Sequence, residues 1–163
     1  MRVLQASARS DRGGGEVGER AACDALRSAA LSAQTAHTAR AMLPGGDLAS
    51  HEARGGHTIA RHVGKSIPEL RERIDSGAVV RASSFPDIAT AERAIADAFE
   101  ACRDEIGMWG AGTSAQRAFD HFVGWATGVV VETDEQRDAL GVRIVLRRDA
   151  SPPGYFILTA FPR

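Results

Sequence analysis

The hydrophobic pattern of this chain changes its period once, at Gly110-Ala111-Gly112, and this change restricts the fold more than any other feature. Over about 89–108, apolar residues recur every three or four positions, as on one face of a helix. Beyond the glycines come short runs rich in Val, Ile and Phe, which predict strands at 117–123, 127–132, 142–148 and 155–161. Since the breaks between these runs are too short for crossover helices, the order predicts an α+β fold with a twisted antiparallel sheet.

Two further elements are predicted before the long helix. Ser66 and Glu69 fit a capping box, and Pro68 suits a first turn, so a helix is expected over 67–75. Val79-Val80-Arg81 is typical of a short strand.

The first 45 residues differ in composition from the rest of the chain. They contain Gly13-Gly14-Gly15, many alanines and few bulky apolar residues. This composition predicts a linker or a weak helical N-terminal segment over 1–45. Residues 46–163 carry the clear helix and strand signals, so they are expected to form one domain.

Composition excludes several classes of protein. No run reaches the roughly 18 apolar residues of a membrane span, and the start of the chain lacks the apolar stretch of a signal peptide. Two cysteines, Cys23 and Cys102, cannot form a multi-disulfide framework, and the apolar helical position of Cys102 predicts a buried thiol. The formal net charge of −1 argues against a protein that coats nucleic acid. Residues 142–163, with four Arg against one acid, could still form a local basic site or only an ordinary strand.

Three of the five histidines lie within twelve residues, from His51 to His62. A zinc-protease helix would need a histidine where the chain has Gly55, and a phosphate-binding loop ending at Gly64-Lys65-Ser66 would need a glycine where it has Ile59. Neither cysteine is close enough in sequence to complete a zinc site. We therefore expect no metal and no other cofactor.

The same segment places proton carriers beside cations, in the order His57, His62, Lys65 and Arg73. Histidine titrates near pH 6.5 and can act as acid or base, while the cations would attract an anion such as phosphate. On one continuous helix His62 and Arg73 would lie about 16 Å apart, too far to share a phosphate. Gly64 and the cap at Ser66 predict a turn instead, which could bring the two side chains together.

The motifs around this cluster resemble those of a known bacterial family. The similar segments are Gly55-Gly56-His57-Thr58-Ile59-Ala60-Arg61-His62-Val63-Gly64-Lys65, Glu69-Leu70-x-x-Arg73, Ala82-Ser83-Ser84-Phe85-Pro86-Asp87 with Thr90-Ala91-Glu92, Val145-Leu146, and Gly154-Tyr155-Phe156-Ile157-Leu158-Thr159-Ala160-Phe161-Pro162. Over about 47–163 the chain resembles the ribonuclease A-like toxin domain at the C-terminus of contact-dependent growth inhibition (CdiA-type) proteins. Residues 1–45 lie outside the resemblance.

The resemblance implies a ribonuclease A-like α+β fold without disulfides, and cleavage of RNA without a metal. It also implies three site residues, which in this sequence are His62, Arg73 and Thr159. The family has a tyrosine where this chain has Phe161, so the role of that hydroxyl is missing or supplied by another group. Such domains act in the cytoplasm of a neighbouring cell after delivery within a larger effector, which implies a cognate immunity protein as partner.

The chemistry of RNA cleavage explains these residue types. When the 2′-OH attacks the adjacent phosphate, a base must take its proton, a donor must stabilise the charged phosphorane, and an acid must protonate the 5′-oxygen. The expected roles are base for His62, bidentate phosphate contact for Arg73 and hydrogen-bond donor for Thr159. Lys65 is expected to bind substrate. His57 is the nearest further candidate for the acid, with a packed structural histidine as the alternative.

Period-two alternation in the last predicted strand gives two faces. The apolar set, expected to face the core, is Phe156, Leu158 and Ala160. The set expected on the more open face is Tyr155, Ile157, Thr159 and Phe161. On the strand alone, Thr159 is more typical of an ordinary strand threonine than of a site residue.

Two other functions are compatible with the sequence. A catalytically silent relative that binds RNA or a protein is favoured by Phe161 and by the net charge of −1. A structural module within a larger secreted protein is the other. Cleavage of bulk RNA in the presence of EDTA separates the enzyme from both.

Overall fold

The computed structural model describes residues 43–133 and 135–163. The helices are α1 (Leu48–Ala53), α2 (Thr58–His62), α3 (Ile67–Asp75), α4 (Ile88–Ala101) and α5 (Arg103–Ala111). The strands are β1 (Arg81–Ser84), β2 (Gln116–Phe122), β3 (Gly128–Glu132), β4 (Gln136–Ala139), β5 (Gly141–Arg148) and β6 (Tyr155–Pro162). The segment predicted over 1–45 lies outside the described residues except for its last three positions. No helix in the described part of the chain is both long and apolar enough to cross a membrane.

The predicted α+β fold with antiparallel strands is confirmed, but the strands form two sheets. One sheet has the order β1-β3-β4 and the other the order β2-β5-β6, with every pair of neighbours antiparallel. The sequence did not predict β4, because Gln136-Arg137-Asp138-Ala139 contains one apolar residue and lies at a sheet edge. An edge strand exposed to water needs no hydrophobic alternation, so it carries little signal.

The predicted helix over 67–75 is confirmed as α3. The Ser66 side chain accepts from the Glu69 N–H while the Glu69 carboxylate accepts from the Ser66 N–H, which is the reciprocal capping box. Pro68 fits the first turn because its missing N–H would have had no helical partner there.

The long helix predicted over 89–108 is two helices, α4 and α5, which meet at Cys102. Phe99, Cys102 and Ile106 all belong to one buried cluster, so the apolar stripe continues across the break. The hydrophobic periodicity of the sequence therefore gives no sign of the break between the two helices. Cys102 is 7% exposed and its thiol is free, which confirms the predicted buried thiol.

The first strand lies later than predicted, at Arg81–Ser84 instead of 79–81. Val80 is 87% exposed, whereas Ser83 and Ser84 are buried. Ser83 pairs with Val130 of β3 and Ser84 pairs with Val129. This sheet pairing satisfies the backbone groups of the two serines, so these small polar residues can be buried.

The main core fills the space between α4, α5 and one face of the β2-β5-β6 sheet. One cross-strand row of this inner face is Phe119, Ile144 and Ala160, all of them buried. The half-buried ring of Tyr155 packs against the same core, 5.8 Å from the ring of Trp109. The opposite face of the sheet is left for the N-terminal helices and solvent.

The free edge of β6 is covered by α1, α2 and the loop between them. His51 Nδ1 accepts from the Ile157 N–H at 3.2 Å, and the His57 N–H donates to the Leu158 carbonyl at 2.9 Å. Thr58 Oγ1 then accepts from the Ala160 N–H at 2.9 Å. These bonds take the place of a neighbouring strand, so they fix α2 along β6.

A β-bulge in β6 corrects the predicted division of its faces. Val145 pairs with Thr159, but Leu146 pairs with Ile157, so Leu158 is an extra residue. Ile157 was predicted on the open face and is instead in the core with Ala160. The extra residue shifts the alternation by one, which the sequence pattern does not reveal.

Candidate active site

His62 ends α2 with its ring fixed by β1. Its Nδ1 lies 3.1 Å from the Ser83 carbonyl oxygen. Because a carbonyl oxygen can only accept, Nδ1 carries the hydrogen and Nε2 keeps a lone pair in the neutral ring. The backbone of Phe85 also donates to the His62 carbonyl at 2.8 Å. His62 is therefore held in the tautomer that can accept a proton through Nε2.

The surroundings of His62 keep its ring neutral. The pKa of His62 is lowered to about 4, mainly by burial. The positive charges of Arg73 and Arg61 also act to lower this pKa, and the Ser83 hydrogen bond acts to raise it. At neutral pH the ring is therefore a free base and not an imidazolium.

Arg73 is brought to this region by the turn between α2 and α3. Gly64 takes a left-handed conformation with a φ of 67°, and α3 then runs back past the end of α2. Arg73 Nη1 donates to the Arg61 carbonyl at 2.9 Å, and its charge acts on the His62 ring. The predicted turn is thus present, and it brings Arg73 to the residue before His62.

The last strand brings Phe161 to the other side of His62. The two ring centroids are 5.2 Å apart and the rings are tilted by 32°. Thr159 faces the same side of β6, two positions earlier. Its Oγ1 is buried without a hydrogen-bond partner among the described residues. A buried hydroxyl left unpaired costs about 1–3 kcal/mol, so this oxygen is destabilising where it stands.

Lys65 lines a cavity of about 360 Å³ beside β1, together with Ser84, Phe85, Gly128, Gln136 and Asp138 among others. The Lys65 N–H donates to the Ser84 hydroxyl at 2.9 Å, so the cavity begins one residue from the Ser83 carbonyl that holds His62. A Cβ at Gly128 would lie 2.2 Å from the Ser84 carbonyl, so only glycine lets β3 pass this close. Lys65 therefore lies near the site, beside Ser84.

His57 precedes α2, at the opposite end from His62. Burial lowers its pKa, the charge of Arg61 lowers it further, and Glu52 raises it. A positive charge on His57 lowers the pKa of His62, so the two rings interact electrostatically. His57 is thus close enough to influence the site, but its lowered pKa reduces the protonated fraction that an acid needs.

Three residues that position the site were not predicted: Ser83, Thr58 and Glu52. The Glu52 carboxylate accepts from the N–H groups of Ile59 and Ala60, at 2.9 Å each, and so caps α2 from α1. Ser83 acts through its backbone carbonyl, which any residue could supply. The Glu52 bonds cross only seven and eight positions, but the partners of Ser83 and Thr58 depend on contacts between distant parts of the chain.

Comparison with known proteins gives two findings. Residues 56–162 match the family model described as the bacterial CdiA-CT RNase A domain. The crystal structure of a CdiA-CT/CdiI complex from Y. kristensenii 33638 is similar, with 33% sequence identity and a TM-score of 0.62. The similarity covers 66% of this chain and 99% of that one. No curated protein matches the sequence.

Proposed function

Because the chain belongs to the bacterial CdiA-CT RNase A domain family, a family of toxin nucleases, we propose that it is an endoribonuclease that needs no metal. The observation that carries this proposal is the neutral His62, which has its Nδ1 on a carbonyl and its ring against the last strand. Arg73 and Thr159 lie on the two elements that flank it.

In the proposed reaction, the RNA supplies its own nucleophile. His62 Nε2 takes the proton of the 2′-OH, and the O2′ attacks the adjacent phosphorus. The bond from phosphorus to the 5′-oxygen breaks, an acid protonates that oxygen, and the products are a 2′,3′-cyclic phosphate and a 5′-OH. Arg73 would contact two phosphate oxygens and Thr159 would donate to one, so both stabilise charge that develops in the transition state.

The acid in this scheme is proposed from two candidates. His57 interacts with His62, although its lowered pKa works against a proton being present at neutral pH. Lys65 is the second candidate, and it lines the cavity beside Ser84. His57→Ala and Lys65→Ala separate the two candidates. Removing the acid slows cleavage most when the leaving group is a poor one, so the variant with the larger loss on such a substrate identifies the acid.

Phe161 favours a second candidate function, a catalytically silent relative that binds RNA or a protein. Its ring packs on His62 but has no hydroxyl with which to donate or share a proton. A silent relative would bind RNA without shortening it, whereas a slow enzyme would accumulate cyclic phosphate ends with time.

The proposal also includes a protein partner and a route of delivery into the target cell. The similar structure from Y. kristensenii is a complex of a CdiA-CT with a CdiI. By extension, we propose that a cognate immunity protein covers the candidate active site of this domain. We also propose that the domain enters the cytoplasm of a neighbouring cell as part of a larger effector.

The deciding experiment is incubation of the purified protein with total RNA in EDTA, with a His62→Ala variant alongside. A general base contributes roughly 10²–10⁴-fold, so His62→Ala should remove detectable cleavage while the protein stays folded. Product ends should be 2′,3′-cyclic phosphates. Full cleavage by His62→Ala would refute the assigned base, and a requirement for divalent cations would refute the metal-free reaction.

A further inference from the structure

The open face of the β2-β5-β6 sheet continues beyond Phe161. Residues that pair across antiparallel strands point to the same face, and Asp120, Arg143 and Phe161 are paired in one row across the three strands. Since the ring of Phe161 packs on His62, this row begins at the candidate active site and runs away from it.

The next row on the same face ends in an exposed aromatic ring. Phe122 pairs with Gly141, and Gly141 exchanges two backbone hydrogen bonds with Arg163, at 3.1 and 2.9 Å. Phe122 is 70% exposed, although it is a large apolar side chain. Gly141 has no side chain, and a Cβ there would lie 2.8 Å from the His121 carbonyl. Glycine therefore leaves a gap in the row between Phe122 and Arg163.

This gap is a small cavity, which we call the Phe122 notch. It has a volume of about 210 Å³ and is lined by Asp120, His121, Phe122, Gly141, Val142 and Arg163. Pockets that enclose a whole ligand usually measure about 300–1,000 Å³. The notch therefore suits one ring or part of one nucleotide, with the rest of the ligand outside.

Two guanidinium groups are fixed beside the notch by one carboxylate. Asp120 accepts from Arg143 Nε and Nη2 at 2.7 and 2.6 Å, and from Arg163 Nη1 at 2.7 Å. The three side chains together carry a net charge of +1, and each guanidinium has five N–H donors, so several remain for a ligand. Since the whole chain has a formal net charge of −1, attraction of a polyanion must come from local groups such as these.

We propose that the Phe122 notch binds a nucleotide flanking the scissile phosphate, with its base stacked on Phe122 and its phosphate on the free donors of Arg163 and Arg143. Single-stranded nucleic acids are bound in this way, by exposed aromatic rings beside cations that follow the backbone. The row from Phe161 to Asp120 makes the notch continuous with the proposed cleavage site. The inference rests on the proposed function for the identity of its ligand.

The test measures binding without cleavage. A fluorescent 2′-O-methyl oligoribonucleotide has no free 2′-OH and stays intact, so anisotropy gives its affinity for each variant. Phe122→Ala should weaken binding about 5- to 150-fold, as expected for removal of one base stack. Phe122→Trp should retain it. Met108→Ala removes another exposed apolar side chain, 66% exposed on α5, and should bind like the unchanged protein.

The salt dependence tests the guanidinium group. Arg163→Ala leaves Asp120 paired with Arg143, and it should reduce the slope of log affinity against log salt by about 0.7 for each phosphate that the protein no longer neutralises. Unchanged affinity in Phe122→Ala would overturn the inference, even if the protein cleaves RNA and so meets the proposed function. The inference would also be overturned if Phe122→Ala lost affinity for a protein partner but not for the oligonucleotide. Weakened oligonucleotide binding in a protein that never cleaves RNA would support the notch and refute the enzyme.

Discussion

His62 depends on three neighbours for its chemistry. The Ser83 carbonyl selects its tautomer, burial keeps it neutral, and Phe161 covers one side of the ring. A pKa of about 4 makes His62 a weak base in the free protein. A bound phosphate would raise this pKa, because an anion beside the ring favours its protonated form. The base would thus gain strength from the substrate it acts on.

Arg73→Lys is expected to slow cleavage about 10- to 150-fold, which corresponds to the loss of one hydrogen bond to a charged group. Lysine keeps the positive charge but cannot contact two phosphate oxygens with one planar group. Single-turnover rates on a defined oligoribonucleotide measure the loss. Arg71→Lys is the matched control, since Arg71 donates to the Thr133 carbonyl just after β3 and not to the Arg61 carbonyl. Equal rates for Arg73→Lys and the unchanged protein would mean that a diffuse positive potential is sufficient.

Phe161→Tyr is expected to raise the cleavage rate about tenfold or more, because a hydroxyl beside His62 could bond a charged phosphate oxygen. Phe161 is half-buried on the open face, so the added oxygen should cost little stability. Thr159→Ala should lower the rate with either residue at 161. The measurement is the initial rate together with the unfolding midpoint in urea. A less stable Phe161→Tyr protein with no gain in rate would show that the ring is only a packing element.

At the scale of elements, the site depends on how α2 and α3 are fixed. α2 has one and a half turns, and its N-terminus is capped by Glu52 while Thr58 binds β6. α3 carries Arg73 and is started by the Ser66 capping box. Short helices are not stable alone, so caps and tertiary bonds decide whether they form.

Ser66→Ala is expected to cost about 0.5–2 kcal/mol of unfolding free energy, because it removes the side-chain half of the capping box. It should also slow cleavage, since Arg73 is held less firmly against the Arg61 carbonyl. Urea unfolding gives the first effect and single-turnover rates the second. Ser151→Ala, in an exposed loop, is the control and should change neither. A Ser66→Ala protein as stable as the original would show that packing of Leu70 alone maintains α3.

At the scale of the whole molecule, two ends of the described chain hold each other in place. The bond from the Ala160 N–H to Thr58 Oγ1 joins residues 102 positions apart, and the bond from the Ile157 N–H to His51 Nδ1 joins residues 106 positions apart. The candidate site forms only when these long-range contacts form. The site and the fold should therefore be lost together when the protein unfolds.

Acid is expected to destabilise the whole domain between about pH 6.5 and pH 4. Burial lowers the pKa values of His51 and His62 to about 4, from 6.5, so the unfolded chain binds more protons in this window. The stability contributed by each neutral ring is therefore complete above pH 6.5 and is lost as the pH falls towards 4. Each histidine adds at most about 1.4 kcal/mol per pH unit to the slope.

His51→Asn tests this pH dependence. The asparagine side-chain oxygen can accept from the Ile157 N–H in place of Nδ1, but it does not titrate. The unfolding free energy of the His51→Asn protein should be lower than that of the original protein at neutral pH, and it should fall less steeply as the pH is lowered. Parallel pH profiles for the two proteins would contradict the assigned role of His51.

Local patterns in the sequence were sufficient for several elements. The Ser66 capping box gave the bounds of α3, and the alternating Val142, Ile144 and Leu146 indicated β5, because these signals act over a few residues. The order of helices before strands gave the α+β class, and the turn at Gly64 followed from local chain geometry. The sequence named His62, Arg73 and Phe161 as candidate site residues through motif resemblance. In the structure Phe161 packs on the His62 ring, and Arg73 is close enough for its charge to act on that ring.

Only the tertiary structure decided how these elements meet. The bulge at Leu158 moves Ile157 into the core, and the break at Cys102 divides one apolar stripe between two helices. The contact of the His62 ring with Phe161, and its bond to the Ser83 carbonyl, join elements far apart in the chain. Such contacts depend on loop closure, on shape and on backbone groups that every residue type shares, so no local pattern encodes them.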